Sequence, residues 1–369
     1  MESINKKNDQ LAIIHTLSKF EIKLHSGFKE ANVYANRRMQ VGVYILIQAK
    51  DDNDRLIQLS DEQLDSIQLI NHSTGNELSG EWVYNSIENN YSHTFPDDPP
   101  LQRMDSLYEE KTNKTPQHKL YWILTSKTET MKIGAQIILN NKKYNTMEGT
   151  PSNSHVVIIS HPEINYISDN LIIEEQKDIK SGKYKFEFER YIDIVGTKLG
   201  GFTHYYKWNQ TNYYIKSKNG FPVKDSYIWN TVNDDEPSNI EFRRFSYLTN
   251  NDNLYLFFIW GIHQEKNKIV GHPDVNKEVS IPSGDFAPPT IESTTASIQV
   301  HLDTLNPHSD AVSITKLYFE SPQNDFWGTN SHCKPYFYFH DIYGNRSGHI
   351  RVIINEDHQS FHLQDADND

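Results

Sequence analysis

The chain has 369 residues, and its 36 Lys and Arg residues against 49 Asp and Glu residues give a formal net charge of −13 at pH 7. This charge argues against a general nucleic-acid binder and against a protein of anionic membranes, because both need a dense positive surface. The length predicts two or three domains at about 100–200 residues each, and an aromatic content of 12% is typical of a folded chain.

Helical patterns are few and short. Residues 9–17 form the first candidate, with Asp9 as its cap. Ser60 and Gln63 have the Ser-x-x-Gln spacing of a capping box, which predicts a single helical turn after Ser60. A third candidate spans residues 104–111. None of them is long enough to be the repeated crossover helix of a parallel sheet.

Apolar and polar residues alternate along much of the remaining chain, which predicts β-strands. The alternating segments are 40–48, 119–124, 133–139, 183–189, 298–302, 336–339 and 350–354. In the clearest of them, Tyr184, Phe186 and Phe188 alternate with charged residues, so we expect one buried and one solvated face. Many short strands with few short helices predict an all-β fold of tandem antiparallel β-sandwich domains of the immunoglobulin-like kind.

Proline-rich and acidic stretches mark the expected domain boundaries. The predicted parts are an N-terminal segment at 1–18, a first β-sandwich domain at 19–161 with a long loop at 96–118, a second β-rich domain at 162–286, and a small C-terminal β-sandwich domain at 287–369. The linker before the last domain falls at 285–290, where Pro288 and Pro289 favour an extended spacer.

The amino-terminal residues lack the apolar stretch of a secretory signal peptide. The longest apolar stretch, 254–262, is far shorter than the about 20 residues of a membrane-spanning helix. We expect a cytoplasmic protein without a membrane span, with export by a signal-less route as the alternative. The single cysteine, Cys333, rules out an intramolecular disulfide framework.

Motifs for catalysis and cofactor binding are scarce. The glycine-rich stretch 196–201 lacks the Gly-Lys-Ser/Thr ending of a phosphate-binding loop. Cys333 and His332 are adjacent and point to opposite faces of a strand, which favours a structural cysteine. The acidic loops at 51–54 and 234–236 offer oxygen ligands for Ca²⁺ but lack the EF-hand spacing. We therefore predict no cofactor, with Ca²⁺ as the alternative, and no catalytic or metal-binding residues.

Two aromatic segments are the candidates for binding. The first, residues 204–214, has five tyrosine and tryptophan residues around a polar stretch and is interpreted as a β-hairpin. By strand parity Tyr206 and Trp208 share one face, whereas Tyr205 shares the other face with a lysine. Trp208 is then the core anchor and Tyr205 an exposed ring. Either the exposed rings bind a sugar or a partner surface, or cross-strand aromatic pairs only stabilise the hairpin.

The second segment is Phe-Trp-Gly at 326–328, interpreted as a loop anchored by buried aromatic rings or as one wall of a ligand cleft. The candidate ligand-binding residues are Tyr205, Tyr206, Trp208, Tyr213 and Trp327. We predict a non-enzymatic binding or assembly protein that acts through extended β surfaces and aromatic loops, with a protein or glycan surface as partner and no nucleic acid. The alternatives are a carbohydrate-active enzyme with β modules and a signal-less exported toxin or virulence factor.

Overall fold

The computed structural model describes residues 14–99, 115–192, 195–229, 242–262, 289–304 and 310–366, and the backbone of 269–281. Of the described residues, 58% lie in strands and 3% in helices, which confirms the all-β prediction. Within these ranges no helix is long and apolar enough to cross a membrane. The candidate helix at 104–111, the acidic loop at 234–236 and most of the predicted linker at 285–290 lie outside the described residues.

The chain divides into two compact units. Unit 1 contains residues 1–164 together with Tyr343–Asn345, and unit 2 contains residues 165–342 and 346–369. The elements of unit 1 are β1 Thr16–Leu24, β2 Glu30–Tyr34, β3 Val41–Lys50, β4 Leu56–Ile57, α1 Asp61–Asp65, β5 Gln68–Asn71, β6 Trp82–Asn85, β7 Gln117–Thr125, β8 Thr130–Leu139, β9 Lys142–Asn145 and β10 Val156–His161.

Unit 1 is a sandwich of two five-stranded sheets. One sheet has the order β1-β3-β7-β6 with β4 beside β3, and the other has the order β2-β10-β8-β5 with β9 beside β8. The described pairings are antiparallel, except that β10 runs parallel to β2. Buried side chains from both sheets, among them Ile45, Phe20 and Ile133, form one apolar core between them.

The predicted helical turn after Ser60 is confirmed. The Ser60 hydroxyl accepts a hydrogen bond from the Gln63 backbone N–H at 3.2 Å, and Oε1 of Gln63 accepts one from the Ser60 N–H at 2.9 Å. The candidate helix at 9–17 is wrong where it is described, because Thr16 begins β1. The alternating apolar residues of β1 face the sandwich core, and this tertiary burial outweighs the local helical pattern.

Strand β3 is buried on both faces, whereas its sequence predicts one apolar and one polar face. Val43 and Ile45 lie in the sandwich core. On the opposite face the ring of His25 packs against Tyr44 at 5.1 Å and against Trp122 at 5.5 Å between ring centroids. Gly42 makes this cover possible, because a Cβ atom there would lie 2.9 Å from Cβ of His25.

Asn36 fixes the loop between β2 and β3. Its Oδ1 atom accepts hydrogen bonds from the backbone N–H groups of Arg38 and Met39, each at 2.9 Å. Its Nδ2 atom donates to the Tyr343 carbonyl and to Oδ1 of Asn345, each at 3.0 Å. One buried amide therefore satisfies both a local turn and a segment far along the chain.

Unit 2 contains two sheets as well. Its elements are a 3₁₀ turn at Ser168–Asn170, β11 Leu171–Ile192, β12 Thr197–Ser217, β13 Val223–Trp229, β14 Arg243–Asn250, β15 Asn253–Trp260, β16 Ile269–Ile281, β17 Thr290–His301, β18 Val312–Phe319, β19 Ser331–His332, β20 Tyr336–Asp341, β21 Ile350–Ile354 and β22 Phe361–Asp365. The larger sheet has the order β16-β17-β11-β12-β18-β15-β14-β19, and the smaller has the order β13-β20-β21-β22.

The units differ from the predicted domains in the second half of the chain. The first predicted domain ends at 161, close to the end of the long segment of unit 1 at Ile164. The predicted boundary between 286 and 287 does not separate units, because β17 pairs with β11 and β20 pairs with β13 across it. Long-range strand pairing is invisible to composition, so a proline-rich stretch between two strands of one sheet resembles a linker.

The predicted hairpin at 204–214 is also wrong, because these residues all lie inside the continuous strand β12. Its polar middle does not turn, since Asn209 pairs with Ser181 on one side and with Tyr318 on the other. The turn lies before β12, where Gly196 has a φ of +61°. β11 and β12 thus form one long hairpin, and Gly182 faces Trp208 within it.

The close approach of Gly182 to Trp208 gives a test of this register. A Cβ atom on Gly182 would lie 2.6 Å from Nε1 of Trp208, whereas one on Gly200 would meet no atom within 4 Å. We expect Gly182→Ala to lower the free energy of unfolding by about 1–3 kcal/mol, as overpacking does. Gly200→Ala, the matched control, leaves it nearly unchanged in urea titrations. Equal effects of the two variants would contradict the register.

Candidate functional site

An aromatic row crosses one face of the β11–β12 hairpin. Cross-strand partners share a face of an antiparallel pair, and Tyr184 pairs with Tyr206 while Phe188 pairs with Phe202. The row, here called the aromatic ladder, consists of Trp208, Tyr184, Tyr206, Phe186, Phe202 and Phe188. Neighbouring ring centroids lie 6.0 Å apart for Tyr184 and Tyr206, and 5.1 Å apart for Phe188 and Phe202.

The inner end of the ladder belongs to the core of unit 2. Trp208 is 6% exposed and Tyr184 is 3% exposed. The loop after β18 covers Tyr184 and the adjacent Phe186, because the Trp327 ring lies 5.7 Å from that of Tyr184 and Phe326 lies 5.5 Å from Phe186. The loop itself is held by the hydroxyl of Tyr247, which donates a hydrogen bond to the Trp327 carbonyl at 2.6 Å.

The outer end of the ladder reaches solvent. Phe202 is 56% exposed and stacks on the half-buried Phe188 with an angle of 19° between the ring planes. His204 is exposed and packs against Tyr206 at 5.0 Å between centroids. Next to Phe188, Arg190 and Glu292 form an ion pair across β11 and β17. These groups make an apolar ring stack with a polar rim, here called the exposed end of the ladder.

The turn of the same hairpin adds aliphatic surface beyond the rings. Val195 is 65% exposed and Leu199 is 53% exposed. An exposed large apolar side chain is ordinary when it stands alone. Here two of them belong to the turn end of a hairpin that also carries Phe202, so exposed apolar groups are concentrated in one short stretch of chain.

The opposite face of the hairpin is charged. Tyr205 is 56% exposed and pairs across the strands with Lys185. Lys185 forms an ion pair with Glu187 at 2.7 Å, and this hydrogen bond raises the pKa of the Lys185 ammonium. Lys183 and Lys207 are partners two pairs further along, on the same face, so the two like charges lie side by side. The ring of Tyr205 thus stands among ions rather than on an aromatic platform.

The structure does not bring the five sequence-predicted site residues together. Trp208 and Trp327 are buried in the core, and Tyr206 packs half-buried against it. Tyr213 is 8% exposed and covered by Phe361, whose ring centroid lies 5.0 Å away. The fifth residue, Tyr205, is exposed on the charged face. The predicted division by parity agrees with these positions, whereas a shared site does not.

Sequence reasoning missed the residues that the ladder exposes. Phe202 follows Gly200 and Gly201 in a stretch where apolar and polar residues do not alternate, so the sequence pattern does not predict a strand there. Gly201 has a steric role here, since a Cβ atom on it would lie 2.5 Å from the Phe188 carbonyl oxygen. The alternation of 183–189 is the available signal, because the partner strand places its residues opposite these rings on the same face.

The acidic loop at 51–54 and Cys333, the other candidates for chemistry, make hydrogen bonds with nearby backbone groups. Oδ1 of Asp51 accepts hydrogen bonds from the backbone N–H groups of Asn53 and Arg55, each at 2.9 Å, and the Arg55 bond in particular lowers the pKa of that carboxyl. Cys333 is half-buried, and its N–H donates to the Phe245 carbonyl at 2.8 Å. Among the residues with described side chains, no group of three or more His, Cys, Asp or Glu residues is arranged to hold a metal ion.

Comparisons with known proteins add little. No protein-family model matches the chain, and no curated protein matches it. Similar solved structures include the C-terminal domains of the antigen I/II-family protein AspA of Streptococcus pyogenes and of the antigen I/II polypeptide BspA of Streptococcus agalactiae. Each has 9% identity and a TM-score of 0.19, over 94% of this chain and 99% and 100% of those chains.

The bacterial integrin-binding protein invasin is similar at 8% identity and a TM-score of 0.19. The match covers 92% of this chain and 62% of the invasin chain. All three structures are β-rich, as this chain is.

The two faces of the hairpin predict opposite responses to mutation. Trp208→Ala removes a buried indole, and we expect it to lower the free energy of unfolding by about 3–5 kcal/mol. Tyr205→Ala removes an exposed ring and leaves stability within about 0.5 kcal/mol of the wild type. Urea-induced unfolding followed by tryptophan fluorescence and circular dichroism measures both. A stable Trp208→Ala variant would contradict the assignment of faces.

Tyr247 predicts a pH dependence. Burial raises the pKa of Tyr247 to about 12, above the ordinary value of about 10 that it regains on unfolding. The folded state therefore holds this proton more tightly than the unfolded state does. The contribution of Tyr247 to the free energy of unfolding is fully present below pH 10 and is lost as the pH rises from 10 towards 12. In the Tyr247→Phe variant the free energy of unfolding should fall less steeply over that interval, because unfolding releases one proton fewer. Identical slopes in denaturant titrations from pH 9 to 12 would contradict the prediction.

Proposed function

We propose that this protein is a non-enzymatic binding protein that docks on the surface of another protein through the exposed end of the ladder. The observation that carries the proposal is the stacked pair of Phe188 and Phe202, in which Phe202 is 56% exposed. The side of the Phe202 ring that faces solvent does not pack against the core of its own domain. It is available to a partner instead.

The inner half of the ladder makes the outer half rigid. Phe202 stacks on Phe188, and Phe186 lies between this pair and the buried Tyr184 along the same face. A side chain that is already ordered loses little conformational entropy when it binds. Burying a phenylalanine side chain contributes about 1.5–3 kcal/mol from water exclusion, so an ordered ring retains most of that gain as affinity.

The chemistry of the exposed groups favours a protein partner over a glycan. Phe188, Phe202, Leu199 and Val195 have no hydrogen-bonding group in their side chains, whereas the hydroxyl groups of a bound sugar need partners when they lose water. An apolar centre with a polar rim is the usual anatomy of a protein interface. His204 and the Arg190–Glu292 ion pair supply such a rim.

Panning a phage-displayed dodecapeptide library against the full-length chain tests this proposal. We expect enriched peptides with apolar and aromatic residues, and a loss of at least about tenfold in affinity for the Phe202→Ser variant, because the ring is the central anchor. Phe28→Ser is the matched control, since Phe28 is 49% exposed and lies in unit 1. It should leave the affinity of the selected peptides unchanged.

Two results would overturn the proposal. The first is an enriched peptide that binds Phe202→Ser and the wild type equally. The second is enrichment of peptides whose binding is lost in Phe28→Ser, which would place the docking surface on unit 1. Thermal unfolding of both variants checks that the exposed rings are not needed for folding.

A further inference from the structure

The smaller sheet of unit 2 carries a second aromatic group on its outward face. Along β13 and β20 the side chains alternate, so that Ile228, Phe337 and Phe339 are buried at 0–1% exposure. The residues between them point the other way and are half-buried. Together with His349, the residue before β21, this set is here called the outward cluster, and it consists of Tyr227, Trp229, Tyr336, Tyr338 and His349.

The rings of the outward cluster stack in pairs across the strands. Tyr227 lies opposite Tyr338, with ring centroids 4.8 Å apart and planes at 23°, and Trp229 lies opposite Tyr336 at 5.3 Å and 15°. Trp229 and Tyr338 lie 5.1 Å apart and join the two pairs. His349 packs against Trp229 at 5.7 Å. The cluster is therefore one ordered surface rather than separate exposed rings.

Three rings of the outward cluster carry a polar atom with no hydrogen-bond partner among the described residues. Within the part of the chain that the structure describes, the hydroxyl groups of Tyr227 and Tyr336 and the indole N–H of Trp229 form no hydrogen bond. Two hydroxyl groups and one N–H group on adjoining rings are thus available to a ligand. This distinguishes the outward cluster from the exposed end of the ladder, where the rings carry no polar atom.

Arg346 supplies a positioned positive charge at the same place. Its guanidinium carbon lies 4.1 Å from the centroid of the Tyr338 ring, and its Nη2 atom lies 3.4 Å from Nε2 of His349. The residue is exposed, and no carboxylate of the described residues lies within ion-pair distance of it. A guanidinium group stacked on a ring keeps its planar edge for a carboxylate or sulfate group.

The charged residues near Arg346 are engaged with other groups. Asp225 is the carboxylate on the β13 side, and its Oδ1 atom lies 2.6 Å from Nδ1 of His340. Arg351 pairs with Tyr336 in the register of β20 and β21 and already takes part in another interaction. The outward face therefore combines the exposed Arg346 with ring hydroxyl groups in a chain whose net charge is −13.

We propose that the outward cluster binds an acidic sugar, that is, a sugar ring carrying a carboxylate or sulfate group. Arg346 pairs with the anionic group, the free hydroxyl and indole groups bond to sugar hydroxyls, and the aromatic surface covers the apolar C–H groups of the ring. An acidic peptide would also satisfy the arginine, but it lacks the C–H face of a sugar ring that the stacked aromatic surface would cover. This site is separate from the exposed end of the ladder and does not depend on it.

Isothermal titration of the full-length chain tests the assignment with four probes: tetragalacturonate for carboxylates, a carrageenan tetrasaccharide for sulfates, neutral cellotetraose, and tetraglutamate. We expect one of the two anionic sugars to bind at least about tenfold more tightly than cellotetraose and tetraglutamate. The tighter of the two identifies the anionic group. Arg346→Gln should weaken that sugar by at least about tenfold, and Arg346→Lys should not restore it, because lysine lacks the planar fork.

Two further variants make the test specific. Arg55→Gln is the matched control, since Arg55 is an exposed arginine in unit 1 and its loss changes the net charge equally. It should leave the affinity unchanged. Tyr336→Phe removes only one hydroxyl group and should weaken the sugar about two- to fivefold, as the loss of one hydrogen bond does.

Four results would overturn the proposal: no binding of either anionic sugar, equal binding of cellotetraose, equal binding of tetraglutamate, or full affinity in Arg346→Gln. Near-ultraviolet circular dichroism of each variant shows whether the ring stack is intact, so that a loss of binding is not mistaken for a loss of folding. The Phe202→Ser variant should bind the sugar normally, which separates this site from the docking surface on the hairpin.

Discussion

The register of β11 against β12 places Gly182 opposite Trp208, and the room left by this glycine admits the indole ring to the core side of the sheet. From that point the face of each residue is set as far as the Arg190–Gly200 pair, because side chains alternate along a strand and the register is regular over this stretch. Tyr184 and Phe186 continue the core, and Phe188 and Phe202 extend it into solvent. A shift of one residue would exchange the aromatic face for the lysine- and glutamate-rich face.

The sequence predicts the parts of this structure that depend on nearest neighbours. Alternation located the strand of Tyr184 and assigned Trp208 and Tyr205 to opposite faces, and capping-box spacing located the turn after Ser60. Pairing between distant strands has no such local signal. The run of polar residues from Asn209 to Asn212 has the composition of a turn, yet strands on both sides hold it extended. The two prolines before β17 predict a linker between domains, whereas β17 pairs with β11 in the larger sheet.

Part of the candidate site was inaccessible to sequence for the same reason. The sequence predicts binding residues where aromatic residues are dense, at 204–214, but most of the aromatic side chains there pack in the core. The rings that we propose for binding differ from the others in being left uncovered, and exposure is a tertiary property. In the outward cluster, alternation of Tyr336 and Tyr338 with Phe337 and Phe339 was visible, but the stacking with Trp229 and the position of Arg346 required the register of three strands.

The two surfaces of unit 2 use different physical forces. The exposed end of the ladder offers apolar area, so its contribution to binding is little affected by salt and grows with the area that a partner covers. The outward cluster offers charge together with hydrogen bonds, and charge interactions at a surface weaken as ions screen them. If both proposals hold, the affinities of the two surfaces respond to different conditions.

The contacts of Asn36 have a consequence for how the protein is made. Unit 1 takes its parallel strand partner β10 from near residue 160, and the Asn36 amide bonds to Tyr343 and Asn345, which the ribosome adds far later. A nascent chain emerges from its amino terminus first. The loop that Asn36 organises therefore lacks these two bonds until residues 343 and 345 have been synthesised, so the first unit is completed only after most of unit 2 has been made.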